Sequence, residues 1–227
     1  MPASSNKLPI GVLISGSGSN LQSIIDACEA GRLDAEVKVV VSNNPTAYGL
    51  ERCYKHSIPT VVITKDEFPD KAAFDDEIIK TLNANGVNLV ALAGFMRILT
   101  PALVAAFPMR IMNIHPSLLP AFPGLDVQRK ALEHGVRFAG CTVHFVDAGV
   151  DSGPIIIQAA VPVLDDDTPE TLSKRILVQE HRIYPQAIQL YAEGRLNVRN
   201  RRVFITHGKN AETSLTNPQC TLFKDDR

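Results

Sequence analysis

Asn113 and His115 stand two residues apart at the end of the apolar segment 111–114, and Pro116 and Pro120 follow them. Side chains of a β-strand alternate between its two faces, so this amide and this imidazole point the same way. Proline cannot donate to a strand ladder, so the strand ends here and a stiffened loop begins. A hydrogen-bond donor and a titratable group are therefore held together at a strand end, where open α/β sheets bind ligands.

The pair suits the stabilisation of negative charge that develops on a carbonyl oxygen. Asparagine donates hydrogen bonds without changing charge, and histidine can carry a proton near neutral pH. Asp151 lies in a glycine-rich loop that ends at Pro154, and a carboxylate beside an imidazole favours the protonated ring. Structural explanations stay open at this point, because strand histidines are often structural and loop aspartates often cap turns.

A serine hydrolase triad is the competing chemical interpretation. Ser117 is the nearest candidate nucleophile, but the chain has no Gly-x-Ser-x-Gly elbow around it. Ser117 belongs to a proline-bounded loop rather than to a strand–helix turn, so we disfavour this chemistry. His144, in a strand pattern, and His181, on a long helix, are interpreted as surface residues or satisfied polar residues.

A glycine-rich segment, residues 15–20, follows the first predicted strand and opens the first predicted helix. Glycine lets the backbone approach a ligand closely, and free N–H groups at a helix start attract anions. Phosphate is the natural guest, but the segment is neither a Walker loop nor a full dinucleotide fingerprint. An ordinary tight turn remains the alternative.

Residues 93–101 follow another strand and combine apolar side chains with the cation of Arg97. Such a segment could form the wall of a pocket for a flat heteroaromatic ligand, with backbone groups that read the edges of the ring system. Core packing explains the same apolar side chains almost as well.

Strand-like and helix-like segments alternate along the first half of the chain and predict an α/β fold. The predicted strands are residues 10–15, 37–42, 60–63, 89–93 and 111–114. Helix-length patterns at 21–30, 48–56 and 72–85, and a shorter one after Phe95, separate them. Near-continuous apolar strands between helices indicate a Rossmann-like, mostly parallel sheet with helices on both faces.

The second half of the chain predicts mixed strands. A helix at 127–134 precedes two paired strands, 139–146 and 155–161, around a turn at 149–154. A long helix is predicted from 169 to 193, with Thr168 as its N-cap, Pro169 at its first position and Gly194 at its end. We predict one domain over residues 1–227, with a core of about 9–196 and a loose C-terminal tail at 197–227.

Composition narrows the class of protein. A formal net charge of −1 gives no overall attraction to nucleic acid or acidic membranes, and we interpret the basic run 199–202 as a solvated tail. No apolar run approaches the length of a membrane span or forms a secretory signal. The four cysteines lie far apart without the spacing of a zinc site, which predicts reduced thiols, no metal and a cytoplasmic location.

Five segments occur in an order that resembles the phosphoribosylglycinamide formyltransferases, a family of folate-dependent enzymes of purine biosynthesis. The segments are residues 14–21, 92–99, 113–120, 143–154 and 179–181. The likeness spans roughly residues 9–196. The segment 113–120 is shared with other enzymes that use 10-formyltetrahydrofolate, and the Gly-Ser-Asn loop and the absence of extra domains narrow the choice.

The resemblance implies transfer of a formyl group from 10-formyltetrahydrofolate to the amine of phosphoribosylglycinamide through a tetrahedral intermediate, without a metal. Asn113, His115 and Asp151 match the catalytic trio of the family. The residues that match its nucleotide-substrate site are Gly18, Ser19, Asn20 and Glu180. Those that match its folate site are Lys71, Met96, Arg97, Ile98, Leu99, Asn113, Asp147, Ala148, Gly149, Val150 and Asp151.

Two positions depart from the family pattern. Lys71 stands where bacterial relatives often carry arginine, and Leu177 stands where a polar residue assists Glu180. The implied partners are small molecules, without nucleic acid or membrane, and the expected state is a monomer or homodimer. The alternatives are a formyltetrahydrofolate hydrolase, a methionyl-tRNA formyltransferase and a noncatalytic nucleotide-binding module.

Overall fold

A nine-stranded sheet forms the centre of the computed structural model, which describes residues 7–207. The strands are β1 (Leu8–Ile14), β2 (Ala35–Ser42), β3 (Thr60–Val62), β4 (Leu89–Leu92), β5 (Ile111–His115), β6 (Phe138–Phe145), β7 (Ile155–Pro162), β8 (Leu196–Arg199) and β9 (Arg202–Ile205). The helices are α1 (Ser19–Glu29), α2 (Tyr48–Lys55), α3 (Lys71–Ala84), α4 (Pro101–Ala106), α5 (Val127–Glu133) and α6 (Pro169–Ala192), with a 3₁₀ turn at Lys65–Glu67. Their spatial order in the sheet is β3-β2-β1-β4-β5-β6-β7-β9-β8.

The first five strands are parallel to one another, and β6 and β7 then pair antiparallel. The parallel strands are buried on both faces: Val12 and Ile14 of β1 belong to one apolar cluster, and Leu13 belongs to another with Phe74 of α3. The predicted α/β fold with a mostly parallel sheet, helices on both faces and mixed strands in the second half is therefore confirmed. The predicted strand and helix boundaries up to residue 193 agree to within a few residues.

Helix α6 crosses the sheet and is positioned by both its ends and its centre. The side chain of Thr168 accepts a hydrogen bond from the Thr171 amide at 3.3 Å, Pro169 is the first helical residue, and Gly194 has a φ of 66°. These three predictions are confirmed. The buried hydroxyl of Tyr184 lies 3.0 Å from the carbonyl oxygen of Leu92 and 2.9 Å from that of Met112, which ties the helix to β4 and β5.

The prediction of a loose tail from residue 197 onward is wrong for its first part. Strands β8 and β9 form a hairpin that joins the edge of the sheet, where Arg202 pairs in parallel with Ile155 of β7. Each strand has only four residues, and none of its side chains is fully buried. A segment this short contains too few apolar positions for an alternating pattern to be recognised in the sequence. The basic run 199–202 lies at the hairpin turn, and residues 208–227 of the predicted tail lie outside the described residues.

Candidate functional site

Asn113 and His115 occupy the carboxyl end of β5, on one face of the strand as predicted. The Nδ2 atom of Asn113 lies 3.5 Å from Oδ1 of Asp151, and Nδ1 of His115 lies 3.4 Å from Oδ2 of the same carboxylate. The three side chains that the sequence singled out are therefore brought together. His115 is buried and Asp151 is nearly so, which limits the screening of their charges by water.

His144 is a fourth member of this cluster, and the sequence interpretation missed it. It lies directly opposite Asn113 across the β5–β6 pair, with its Nε2 atom 3.2 Å from Asn113 Nδ2. Its Nδ1 atom lies 2.8 Å from the carbonyl oxygen of Phe145, so the ring proton is on Nδ1 and Nε2 accepts from the amide. Burial lowers the pKa of His144, which favours this neutral form. We call these four residues the reaction centre.

Both ring nitrogens of His115 face hydrogen-bond acceptors. Nε2 lies 3.0 Å from the carbonyl oxygen of Phe122, and Nδ1 faces the carboxylate of Asp151. An imidazole donates from both nitrogens only when it carries both protons. The carboxylate is in turn fixed by the backbone amide of Gly124, which donates to its Oδ2 atom at 2.9 Å.

Asp151 belongs to the loop of residues 147–154, called the Asp151 loop here. Its own backbone is left-handed, with a φ of 50°, a conformation that costs about 1–2 kcal/mol for a residue with a Cβ atom. Within the loop, Oδ1 of Asp147 accepts from the Gly149 amide at 3.1 Å and from the Ser152 hydroxyl at 2.6 Å. At Gly153 a Cβ atom would meet the carbonyl oxygen of Phe145, so only glycine fits there. The loop is thus compact and holds its carboxylate against the end of β5.

The glycine-rich segment lies at the carboxyl end of β1 and leads into α1. Gly18 has a φ of 67°, and a Cβ atom added to it would lie 2.7 Å from the Cα atom of Gly49. No side chain caps the first turn of α1, which leaves its N–H groups available to an anion. The four predicted nucleotide-binding residues are brought together, since Nδ2 of Asn20 donates to Oε2 of Glu180 at 2.7 Å. We call residues 18–20 and Glu180 the nucleotide end.

Glu180 is buried on α6, and this burial raises the pKa of its carboxyl group, while the hydrogen bond from Asn20 acts in the opposite direction. Beside Ser19, an open cleft of about 280 Å³ runs between α1, Arg52 of α2 and His181 of α6. Burial lowers the pKa of His181, and the neighbouring charge of Arg52 acts in the same direction. Leu177 is half-buried one turn before Glu180 and offers no polar group to this cleft.

The predicted folate wall starts from the same edge of the sheet. The Met96 amide donates to the hydroxyl of Ser15 at 2.8 Å. The side chains of Met96 and Ile98 are 71% and 63% exposed, and exposed apolar side chains of this kind are typical of ligand-binding surfaces. Arg97 instead stacks its guanidinium on the ring of Phe74, 3.9 Å from the ring centre. The remaining predicted wall residues are Leu99, which packs partly against the core, and Lys71, which is exposed at the start of α3.

Two further findings concern metals and membranes. Within residues 7–207, no three or more side chains of His, Cys, Asp and Glu form a group that could hold a metal ion. Among the helices of the same range, none combines the length and the apolar character needed to cross a bilayer.

Comparison with known proteins gives concordant results. The family model "Formyl transferase" matches residues 8–188. The trifunctional purine biosynthetic protein adenosine-3 of Drosophila melanogaster is 48% identical over 187 residues, which are 82% of this chain but 14% of that relative. The phosphoribosylglycinamide formyltransferase of Escherichia coli (strain K12) is 46% identical over 187 residues, 82% of this chain and 88% of the relative. The chain thus spans about one seventh of the trifunctional relative and most of the bacterial one.

Among solved structures, glycinamide ribonucleotide transformylase 1 from Symbiobacterium toebii is similar to this chain with a TM-score of 0.87. The two are 58% identical, and the match covers 88% of this chain and 94% of that one. The range matched by the family model, residues 8–188, includes β1, α1, β5, β6 and Glu180 of α6.

Proposed function

The chain belongs to the formyl transferase family, and we propose that it transfers the formyl group of 10-formyltetrahydrofolate to the amine of phosphoribosylglycinamide in de novo purine biosynthesis. The observation that carries this proposal is the convergence of Asn113, His115 and Asp151 at the end of β5. Similarity to the E. coli enzyme over 88% of its length supports the choice of acceptor.

The nucleotide end supplies the groups for the phosphoribosyl part of the acceptor. The uncapped N-terminus of α1 and the backbone of residues 18–20 suit the phosphate, and the Glu180 carboxylate suits the ribose hydroxyls as an acceptor. The exposed side chains of Met96 and Ile98, with the backbone of the Asp151 loop, would hold the folate ring system. In the sheet, β4, which leads into the Met96 segment, lies between β1 of the nucleotide end and β5 of the reaction centre, so all three regions lie at the carboxyl ends of neighbouring parallel strands.

Formyl transfer begins when the uncharged amine attacks the formyl carbon, and negative charge then develops on the formyl oxygen. Asn113 donates one N–H to His144, and its contact with Asp151 is long at 3.5 Å, so its second N–H is available to that oxygen. His115 is the second donor, and Nε2 reaches the oxygen once the carbonyl of Phe122 gives way as its acceptor.

Collapse of the tetrahedral intermediate completes the reaction. The attacking nitrogen loses a proton, the folate nitrogen gains one, and the bond between that nitrogen and the formyl carbon breaks to release tetrahydrofolate. We assign the relay of this proton to His115, whose Nδ1 atom lies 3.4 Å from the carboxylate of Asp151. Asn113 and His115 supply the charge stabilisation themselves, so the proposed reaction needs no metal and should survive a chelator.

Tetrahydrofolate formation from 10-formyltetrahydrofolate, followed with and without phosphoribosylglycinamide, tests the proposal. We expect turnover that depends on the amine and that Asn113→Ala lowers by about 10²–10³. Equal turnover without the amine would replace the proposal with a hydrolase, and an absence of turnover in both mixtures would leave a nucleotide-binding module.

We also propose a cytoplasmic location and a monomer or homodimer. Cys28, Cys53 and Cys141 are free thiols, which suits a reducing compartment. Light scattering of the purified chain at several concentrations distinguishes the two states of assembly.

A further inference from the structure

The turn of the β8–β9 hairpin reaches the loop that carries the catalytic carboxylate. Nη2 of Arg201, in this turn, donates to the carbonyl oxygen of Ser152 at 2.8 Å. The next residue, Arg202, pairs in register with Ile155, the first residue of β7. The hairpin therefore contacts the Asp151 loop and the strand that follows it, although residues 196–205 lie beyond the range that the family model matches.

The contacted carbonyl is one residue beyond Asp151. Asp151 holds a left-handed backbone, and its carboxylate faces Asn113, His115 and the amide of Gly124 together. A small rotation about the backbone at residues 151–152 would move the carboxylate away from all three. Within the loop, Oδ1 of Asp147 accepts from the Gly149 amide and from the Ser152 hydroxyl, whereas Arg201 contacts the Ser152 carbonyl from a different part of the chain.

We propose that Arg201 is a positioning residue for formyl transfer: by holding the Ser152 carbonyl, it keeps the carboxylate of Asp151 against His115. This inference rests on the proposed function, because it assigns Arg201 a part in that reaction. Arg201 is exposed and its guanidinium points to a backbone oxygen rather than to a substrate, so it acts through Asp151. The basic composition of the hairpin turn did not indicate this contact with the Asp151 loop.

Arg201→Gln is the primary variant. A charge-assisted hydrogen bond at an exposed position contributes about 1 kcal/mol, so we expect kcat to fall about fivefold. The KM for the folate should rise, whereas the KM for phosphoribosylglycinamide should stay unchanged, because the nucleotide end lies on a different part of the sheet. Arg201→Lys should restore part of the activity.

The matched control is Arg199→Gln, which removes the same charge from the same hairpin. Arg199 lies over the ring of Phe204, so we expect near-normal kcat from this variant. In a background that already carries Asp151→Asn, the Arg201→Gln change should have no further effect on kcat. An unchanged kcat in Arg201→Gln or full additivity with Asp151→Asn would each overturn the inference.

Amide hydrogen exchange over residues 147–153 separates this inference from the proposed function. Exchange should be faster in Arg201→Gln than in the parent protein and in Arg199→Gln, whether or not the chain turns over formyl-folate. If the parent protein shows no amine-dependent turnover, the proposed function fails. If exchange in the loop is the same in all three proteins, the contact does not hold the loop and the inference about Arg201 fails.

Discussion

The reaction centre and the nucleotide end hold their polar groups in opposite ways. At the reaction centre, His115, His144 and Asp151 are titratable side chains whose hydrogen bonds depend on one another's protonation. At the nucleotide end, the geometry comes from the backbone, because Gly18 is forced by its positive φ and by the closeness of Gly49. Proton transfer needs groups that can change charge, whereas an anion of constant charge needs donors that stay in place.

The two regions also stand on different parts of the sheet. The nucleotide end follows β1, a parallel strand, and a helix N-terminus supplies its donors. The reaction centre needs the antiparallel β5–β6 pair, since only that pairing sets His144 opposite Asn113. Substitutions at the reaction centre should therefore change kcat, while those at the nucleotide end should change the KM for phosphoribosylglycinamide.

Asn113→Ala and His115→Ala provide the largest expected effect. Each removes one donor to the developing oxyanion, and the loss of such a donor typically lowers kcat by about 10²–10³. Steady-state kinetics of tetrahydrofolate formation measure the change, with Asn83→Ala, an exposed amide on α3, as the control. Near-normal kcat in either variant would remove that residue from the reaction centre.

Asp151→Asn should have the next largest effect. The amide keeps an acceptor for the Gly124 N–H but removes the negative charge 3.4 Å from His115. A hydrogen bond to a charged group typically contributes about 1.5–3 kcal/mol, so kcat should fall by about tenfold to a hundredfold.

The control for this charge is Asp76→Asn, an exposed carboxylate on α3. The kcat of both variants is measured from tetrahydrofolate formation. If Asp151→Asn kept the kcat of the parent, as Asp76→Asn should, the carboxylate of Asp151 would have no part in the reaction.

Glu180→Gln tests the role of the nucleotide end. The amide of the variant lacks the negative charge that accepts hydrogen bonds from the ribose hydroxyls. The KM for phosphoribosylglycinamide should therefore rise about tenfold, the effect expected from the loss of a hydrogen bond to a charged group, while kcat changes little. Burial raises the pKa of Glu180, which means that folding disfavours its charged form. Stability is therefore lost as the pH rises through this pKa, and the neutral variant should melt no lower than the parent at pH 7.

Calorimetry and initial rates check both parts of that prediction. In the parent, the KM for phosphoribosylglycinamide should increase as the pH falls and Glu180 takes up a proton, and this dependence should be absent from Glu180→Gln. A fall in kcat with unchanged KM would place Glu180 in the chemical step and break the contrast between the two regions.

Sequence patterns predicted those features of the structure that depend on residues close together in the chain. Alternation along a strand put Asn113 and His115 on one face, and Thr168 with Pro169 marked the start of α6. Resemblance to a family joined Asp151 to the pair, and the structure brings these side chains together.

Contacts between distant segments were outside the reach of such patterns. His144 contacts Asn113 because of the register between β5 and β6. The sequence around a polar strand residue does not indicate which residue will lie opposite it on the neighbouring strand. Strands β8 and β9 were missed because a strand of four residues, two half-buried and two exposed, is too short for a periodic signal. The contact between Arg201 and Ser152 joins residues 49 positions apart and depends on that hairpin.

Ser117→Ala should have the smallest effect on catalysis, and it tests whether the substrate amine or a serine hydroxyl is the nucleophile. The buried Ser117 hydroxyl donates to the carbonyl oxygen of Ala121 at 2.6 Å, so its proton is directed away from His115. If the substrate amine is the nucleophile, kcat should stay within about twofold of the parent, while the lost hydrogen bond should lower the free energy of unfolding by about 1 kcal/mol. A drop in kcat as large as that of His115→Ala, with no formyl transfer left, would instead indicate a serine nucleophile activated by His115. Because thermal melts and initial rates are independent measurements, a variant that melts lower but keeps its kcat assigns Ser117 to the loop and leaves the chemistry to Asn113, His115 and Asp151.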